Sequence, residues 1–117
     1  MAEITRLQSN PRLSMGVVHG GTVYLAGQVA IDNGGGSVTD QTREILERID
    51  ALLAEAGTDK SRILSCNLYV ADIATMPEVN ALWDPWVAPG CAPARTTIEA
   101  KLASPRYAVE ISVIAAV

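Results

Sequence analysis

AVEISVIAAV, residues 108–117, is the stretch of sequence that decides the fold. Side chains alternate between the two faces of a strand, and one face here is wholly apolar. That face consists of Val109, Ile111, Val113 and Ala115. The opposite face is also apolar apart from Glu110 and Ser112. Helices of the same chain can cover only one face, so we expect a second subunit to cover the other.

Outward from this strand, the hydrophobic pattern predicts an α+β fold in the order ββ-α-β-α-ββ, with one mixed sheet and two helices on one face. Gly20-Gly21 predicts a hairpin whose second strand reaches about Ile31, and residues 1–12 are read as a turn or an extended lead-in. A helix capped by Ser37 or Thr39 ends at Gly57, and a strand over about 62–71 follows.

The C-terminal part is predicted as a helix followed by two strands. Thr75 and Glu78 form a capping-box pattern at the start of the helix. Strands over about 95–102 and 107–116 flank a short turn at 103–106. If these two strands pair as a hairpin, Glu99 lies opposite Glu110, with Arg95 on the same face about 13 Å further along.

Composition limits the chemistry. The 117 residues predict one domain, residues 1–117, and the net charge of −4 argues against nucleic acid as a partner. No apolar run approaches the ~20 residues of a membrane span. The single His excludes zinc sites built on paired imidazoles, and two Cys without a CxxC motif indicate free thiols in a reducing, cytoplasmic setting. Carboxylates, Arg side chains and backbone groups remain as the groups that could carry the chemistry.

Two charged residues stand out. Arg95 follows the rigid Ala92-Pro93-Ala94 entry to a strand, where it could grip a carboxylate; the alternative is a surface or interface ion pair. Glu110 is a lone carboxylate in an apolar strand, suited to acid–base work; the alternative is a charge that blocks edge aggregation. Trp83 and Trp86, at helical spacing, are read as core or interface residues.

Several segments, in order, resemble the Rid family of reactive intermediate deaminases, which hydrolyse enamines and imines. These are Val23-Tyr24-Leu25-Ala26-Gly27-Gln28, the helix from Gln41 to Gly57, Val79-Asn80, Pro93-Ala94-Arg95-Thr96 and Val109-Glu110-Ile111. The resemblance covers about residues 15–117. It implies a homotrimer of chorismate-mutase-like subunits with sites between subunits, acting on small imine or enamine carboxylates without a cofactor or metal.

The resemblance also implies roles for particular residues. Arg95 matches the Arg that grips the substrate carboxylate, and Glu110 the Glu that positions water. Asn80 matches a helix-borne Asn, and Gly27 a backbone position beside the ligand. The resemblance is to a branch diverged from the best-known members. The Tyr of those members falls near Leu13, their Ser on Ala26 and their Cys on Thr97.

The expected function is therefore hydrolysis of 2-iminoacids or their enamine tautomers to 2-ketoacids and ammonia. Leu13 and Ala26 suggest a roomier and less polar pocket than in the best-known branch. The alternative is a non-catalytic trimeric module that binds a small carboxylate metabolite through Arg95 and leaves Glu110 incidental.

Overall fold

The computed structural model describes residues 2–117; Met1 lies outside the described part. Its strands and helices are β1 (Thr5–Ser9), β2 (Ser14–His19), β3 (Thr22–Leu25), α1 (Val38–Glu55), β4 (Ile63–Val70), α2 (Met76–Trp86), β5 (Ala94–Glu99) and β6 (Val109–Ala116). Short 3-10 turns at Lys60–Arg62 and Ile73–Thr75 precede β4 and α2. The expected α+β order is confirmed, with one strand added at the N-terminus.

The added strand, β1, falls in the segment read as a lead-in. It pairs antiparallel with β2, from Thr5 opposite Val18 to Ser9 opposite Ser14. Four of its five residues are exposed. Such an edge strand is held by backbone hydrogen bonds and needs no apolar alternation, so its sequence carries no strand pattern.

All six strands form one mixed sheet in the order β1-β2-β3-β6-β4-β5. β4 and β5 are parallel, and the other neighbouring pairs are antiparallel. The predicted hairpin between the last two strands is therefore wrong, because β4 lies between them. Glu110 is opposite Tyr69, and Glu99 is opposite Val70. β6 is apolar on both faces. Its position between β3 and β4 buries more of its surface than a position beside the exposed β5 would.

The core lies between the sheet and the two helices. The inward face of β6 is at most 1% exposed, from Val109 to Ala115. It shares the core cluster with Ile45, Ile49 and Leu53 of α1. Each large aliphatic side chain buried in this way contributes roughly 1.5–3 kcal/mol. The helices thus cover one face of the sheet, as predicted, and the other face of β6 remains half-buried.

The predicted ends of elements are mostly confirmed. Ser37 caps α1 by accepting a 3.0 Å hydrogen bond from the Asp40 N–H, and Gly57 ends it at a φ of 83°. Gly20 and Gly21 turn the β2–β3 hairpin with φ of 60° and 83°. No helix of the described residues is long and apolar enough to cross a membrane.

Three predicted boundaries are wrong. The strand expected over about 95–102 ends at Glu99. The strand expected to reach Ile31 ends at Leu25, and beyond it only Gln28 forms a bridge, to Ile111. Thr75 does not cap α2, because its hydroxyl donates to the Asp72 carbonyl and closes the preceding 3-10 turn.

The break after β3 is anchored by Glu44 of α1. Its carboxylate accepts hydrogen bonds from the backbone N–H groups of Asn33 at 2.8 Å and Asp32 at 3.2 Å, and from Arg48 Nε at 2.6 Å. Burial alone would raise the pKa of Glu44, but the hydrogen bonds from Arg48, Asn33 and Asp32 outweigh it and lower the pKa from 4.5 to about 2.

Candidate functional site

Arg95 projects from the outermost strand, β5, toward the helices. Its register partner is Cys66, which is 2% exposed and faces the core. Paired residues on neighbouring strands share a face, so Arg95 lies on the helix side of the sheet. Its guanidinium carbon is 5.3 Å from the centroid of the Trp83 ring, and Nη1 donates a 2.9 Å hydrogen bond to Asn80 Oδ1.

The two side chains that hold Arg95 come from one face of α2. Asn80 and Trp83 are three residues apart, a spacing that brings side chains together on a helix. Trp83 is 5% exposed and belongs to the core cluster, so the helix is anchored at the point where it supports the guanidinium. Asn80 therefore contacts Arg95, and Trp83 is a core residue that also contacts the charge.

The role of Trp83 beside Arg95 was missed at the sequence level. Its spacing was typical of a buried residue, and it is buried. The signal that could have identified it is its position one helical turn after Asn80, on the same face of the helix.

Arg95 keeps donors for a ligand. Within residues 2–117 no carboxylate lies within salt-bridge distance of its guanidinium; the ion pairs in that part of the chain involve Arg43 and Arg48. The ion-pair alternative therefore has no partner in the described part of the protomer. Thr97 lies two residues along the same face and is half-buried.

Cys66, next to Arg95 on β4, is a core residue. Burial raises the pKa of its thiol to about 12, and the nearby Arg95 charge opposes this only in part. A thiol with so high a pKa is protonated at neutral pH and does not act as a nucleophile.

Glu110 belongs to a second group, on the opposite face of the sheet. Its partner Tyr69 is three residues from Cys66 on β4, and an odd separation places the two on different faces. A Cβ on Gly27 would lie 2.9 Å from the Glu110 carboxyl carbon, so the carboxylate packs directly against the Gly27 backbone. The predicted placement of Arg95 and Glu110 on one face is wrong, because β5 pairs with β4 and not with β6.

Ala26 and Leu13 lie at the same end of the sheet as Gly27. Ala26 precedes Gly27 in the chain, and its N–H donates a 2.9 Å hydrogen bond to the carbonyl of Met15. Leu13 is two residues before Met15 and is exposed. The predicted site residues thus fall into two groups, one around Arg95 with Asn80 and Thr97, the other formed by Glu110 and Gly27. Ala26 and Leu13 lie at the Gly27 end of the sheet.

A cleft of about 280 Å³ opens beside Glu110. Its walls are Tyr69 and Ser112 of the sheet together with residues 100–103. The same face of the sheet carries exposed apolar side chains, with Tyr24 48% and Ile98 45% exposed. In the described part of the chain no group of three or more His, Cys, Asp or Glu side chains is placed to hold a metal ion.

Comparison with known proteins places the chain in a family. The family model described as Endoribonuclease L-PSP matches residues 3–117. A RutC family protein of Haemophilus ducreyi is 45% identical, with 97% of each chain covered.

Two solved structures extend this similarity to the fold. A YjgF family member from Neisseria meningitidis has a TM-score of 0.93 and 38% identity, with 97% of this chain and 94% of that chain covered. A Yersinia pestis protein of the conserved Rid protein family has a TM-score of 0.84 and 29% identity, with 93% and 90% covered. This chain therefore belongs to the Rid family, the group of Endoribonuclease L-PSP, RutC and YjgF proteins.

Proposed function

We propose that this protein hydrolyses reactive 2-iminoacids, or their enamine tautomers, to 2-ketoacids and ammonia without a cofactor. The observation that carries the proposal is the state of Arg95. Its guanidinium is held by Trp83 and Asn80, while no carboxylate of the described residues pairs with it. An anchored guanidinium with free N–H donors is suited to a planar carboxylate.

In the proposed reaction the substrate carboxylate binds Arg95, and Glu110 orients a water toward the C=N carbon. The water oxygen bonds to that carbon, and Glu110 accepts a proton that is returned to the nitrogen. In the resulting carbinolamine, Glu110 takes the hydroxyl proton and gives it to the nitrogen while the C–N bond breaks, which releases ammonia and leaves the ketone. Because an imine carbon is already electrophilic, an Arg that binds the carboxylate and a Glu that positions water are sufficient.

The proposal requires a homotrimer in which Arg95 of one subunit meets Glu110 of its neighbour. Within one protomer the two side chains lie on opposite faces of the sheet. The exposed Tyr24 and Ile98 on the Glu110 face fit burial against another subunit, since apolar patches of this kind mark interfaces.

The same proposal assigns the substrate pocket to the residues that depart from the best-known branch. Leu13 and Ala26, at the Gly27 end of the sheet, and Thr97, in the Arg95 group, favour a substrate side chain with some apolar character. The proposal takes residues 1–117 as one domain built on a single sheet. It places the protein in the cytoplasm. The cysteines are unpaired thiols, Cys66 buried and Cys91 half-buried, as fits a reducing compartment.

The experiment that tests the proposal uses an amino-acid oxidase to generate 2-iminoacids and semicarbazide to trap them. Added wild-type protein should lower semicarbazone formation and speed ammonia release. Arg95→Ala should lower kcat/KM by about 10- to 150-fold, the loss of a charge-assisted hydrogen bond. Glu110→Gln should lower kcat by roughly 10²- to 10⁴-fold.

Arg43→Ala is the matched control. Arg43 is an exposed Arg of α1 paired with Asp40, and its loss should leave the rates unchanged. If the wild-type protein adds nothing to the buffer rate across several imines, the hydrolytic function is wrong. Binding of a 2-ketoacid without turnover would then identify the non-catalytic carboxylate-binding module.

A further inference from the structure

We propose that Trp83 is the positioning residue for the Arg95 clamp: its ring holds the plane of the guanidinium so that the N–H edge faces an incoming carboxylate. The inference rests on the proposed function for the identity of the ligand, a 2-ketoacid or 2-iminoacid. It assigns a second role to a residue of the hydrophobic core.

Two contacts together restrict how the guanidinium can turn. The ring of Trp83 lies 5.3 Å from the guanidinium carbon, within the ~6 Å range of cation–π attraction. Asn80 Oδ1 accepts a 2.9 Å hydrogen bond from Nη1. The contact with Trp83 limits tilting of the guanidinium relative to the ring. The hydrogen bond to Asn80 limits rotation of the guanidinium within its own plane.

The support itself is rigid, although Arg95 is exposed. Trp83 is 5% exposed and packs in the core cluster. The Trp86 ring also lies close to that of Trp83, with ring centroids 5.3 Å apart at 45°. The Trp83 ring cannot turn away without disturbing the core. It therefore restricts the motion of the solvent-exposed Arg95 guanidinium.

The restricted motion of the Arg95 side chain should increase its affinity for a carboxylate. A freely rotating Arg side chain loses rotamer freedom when it binds, whereas a pre-oriented one loses less. Cation–π contacts of this kind correspond to a roughly 2- to 30-fold effect on an equilibrium constant. Loss of the ring should therefore raise both the Kd for a carboxylate and the KM by that factor. It should change kcat by less than about twofold, since the contact is the same in the ground and transition states.

The first measurement is an ¹H–¹⁵N NMR spectrum of the Arg Nε–Hε groups. In the wild-type protein the Arg95 Hε resonance should be displaced by the ring current, unlike that of Arg43. Trp83→Phe should keep part of the displacement, and Trp83→Leu should abolish it. The wild-type spectrum alone tests the contact, so the test does not depend on the folding of a variant with an altered core.

The second measurement is pyruvate binding by calorimetry, with KM and kcat in the imine assay. Trp83→Leu should bind pyruvate about 2- to 30-fold more weakly, and Trp83→Phe should fall between it and wild type. Arg43→Ala is the control, since Arg43 is an exposed residue of α1 that pairs with Asp40. It should bind pyruvate as wild type does.

The outcomes separate the two proposals. Weaker pyruvate binding by Trp83→Leu in a protein that hydrolyses no imine supports the positioning role and refutes the proposed function. An undisplaced Arg95 Hε in the wild type overturns the positioning role. So does a folded Trp83→Leu variant with unchanged Kd and KM, even if imine hydrolysis is observed.

Discussion

The Glu110 carboxylate occupies the space in which a side chain on residue 27 would begin. A Cβ placed on Gly27 would lie 2.9 Å from the carboxyl carbon of Glu110 and 3.1 Å from its Cγ. Gly27 is not among the residues with positive φ. Glycine is thus needed here for the close approach of Glu110, and not for its backbone conformation.

Gly27→Ala should therefore displace Glu110 and spare the fold. The Glu110 side chain can swing away at small cost in stability, but a displacement of about 1 Å can cost on the order of 10²-fold in rate. We expect kcat in the imine assay to fall by that order, with the thermal unfolding midpoint nearly unchanged. Gly34→Ala is the control: its Cβ would lie 3.3 Å from Arg106 Nε, away from Glu110. Wild-type kcat in Gly27→Ala would contradict a role for the Glu110 position.

Mixed oligomers test whether two subunits form each site. Arg95→Ala and Glu110→Gln subunits, each nearly inactive alone, should regain activity when unfolded together and refolded. With random assembly around a ring, roughly a quarter of the sites combine an intact Arg95 with an intact Glu110. Mixing Arg95→Ala with the Arg95→Ala/Glu110→Gln double variant should restore nothing. A failure of the first mixture to recover, in oligomers shown to exchange subunits, would contradict a shared site.

Glu44 should make the stability depend on acid pH. Its folded pKa, about 2, lies below the value of 4.5 expected when unfolded, so its contribution is complete above pH 4.5 and is lost as the pH falls toward 2. Glu44→Gln should lower the free energy of unfolding at pH 7 by about 1.5–3 kcal/mol. The gap between variant and wild type should narrow through that pH range. In urea titrations, Glu47→Gln on the exposed side of α1 should show neither effect.

The two cysteines should differ in reactivity. Cys66 is buried with a pKa raised to about 12, whereas Cys91 is half-buried in the turn before β5. A maleimide at pH 8 should modify Cys91 in the native protein and leave Cys66 unmodified, as read by peptide mass spectrometry. Both should react in urea. Rapid native labelling of Cys66 would indicate that the β4–β5 region opens readily.

The elements that were predicted best are those in which burial of one side imposes a regular spacing of apolar residues. The inward face of β6 and the apolar stripe of α1 were predictable because one side of each element is packed in the core. β1 was not, since an exposed edge strand is held by backbone hydrogen bonds. The place of β6 was wrongly predicted because chain neighbours usually pair, whereas its two apolar faces favour the interior of the sheet.

The arrangement of the predicted site residues could not be derived from the sequence. Arg95, Asn80, Gly27 and Glu110 were all singled out, and the structure joins the first two and the last two into separate groups. Their division between two faces depends on which strands pair, a long-range property. The contact of Trp83 with Arg95 was not predicted for a related reason. It joins α2 to β5, and the hydrophobic pattern of α2 does not show which strand the helix contacts.

The place of Arg95 on the outermost strand and of Glu110 on an inner one has a consequence for how the protein can diversify. Substitutions in β5 change a strand that has a single neighbour and is mostly exposed, whereas substitutions in β6 disturb two neighbours and the core. In a mutational scan scored only for folded protein, β5 should tolerate far more changes than β6. New ligand preferences can therefore arise around the Arg95 clamp while the Glu110 strand stays under the constraint of folding.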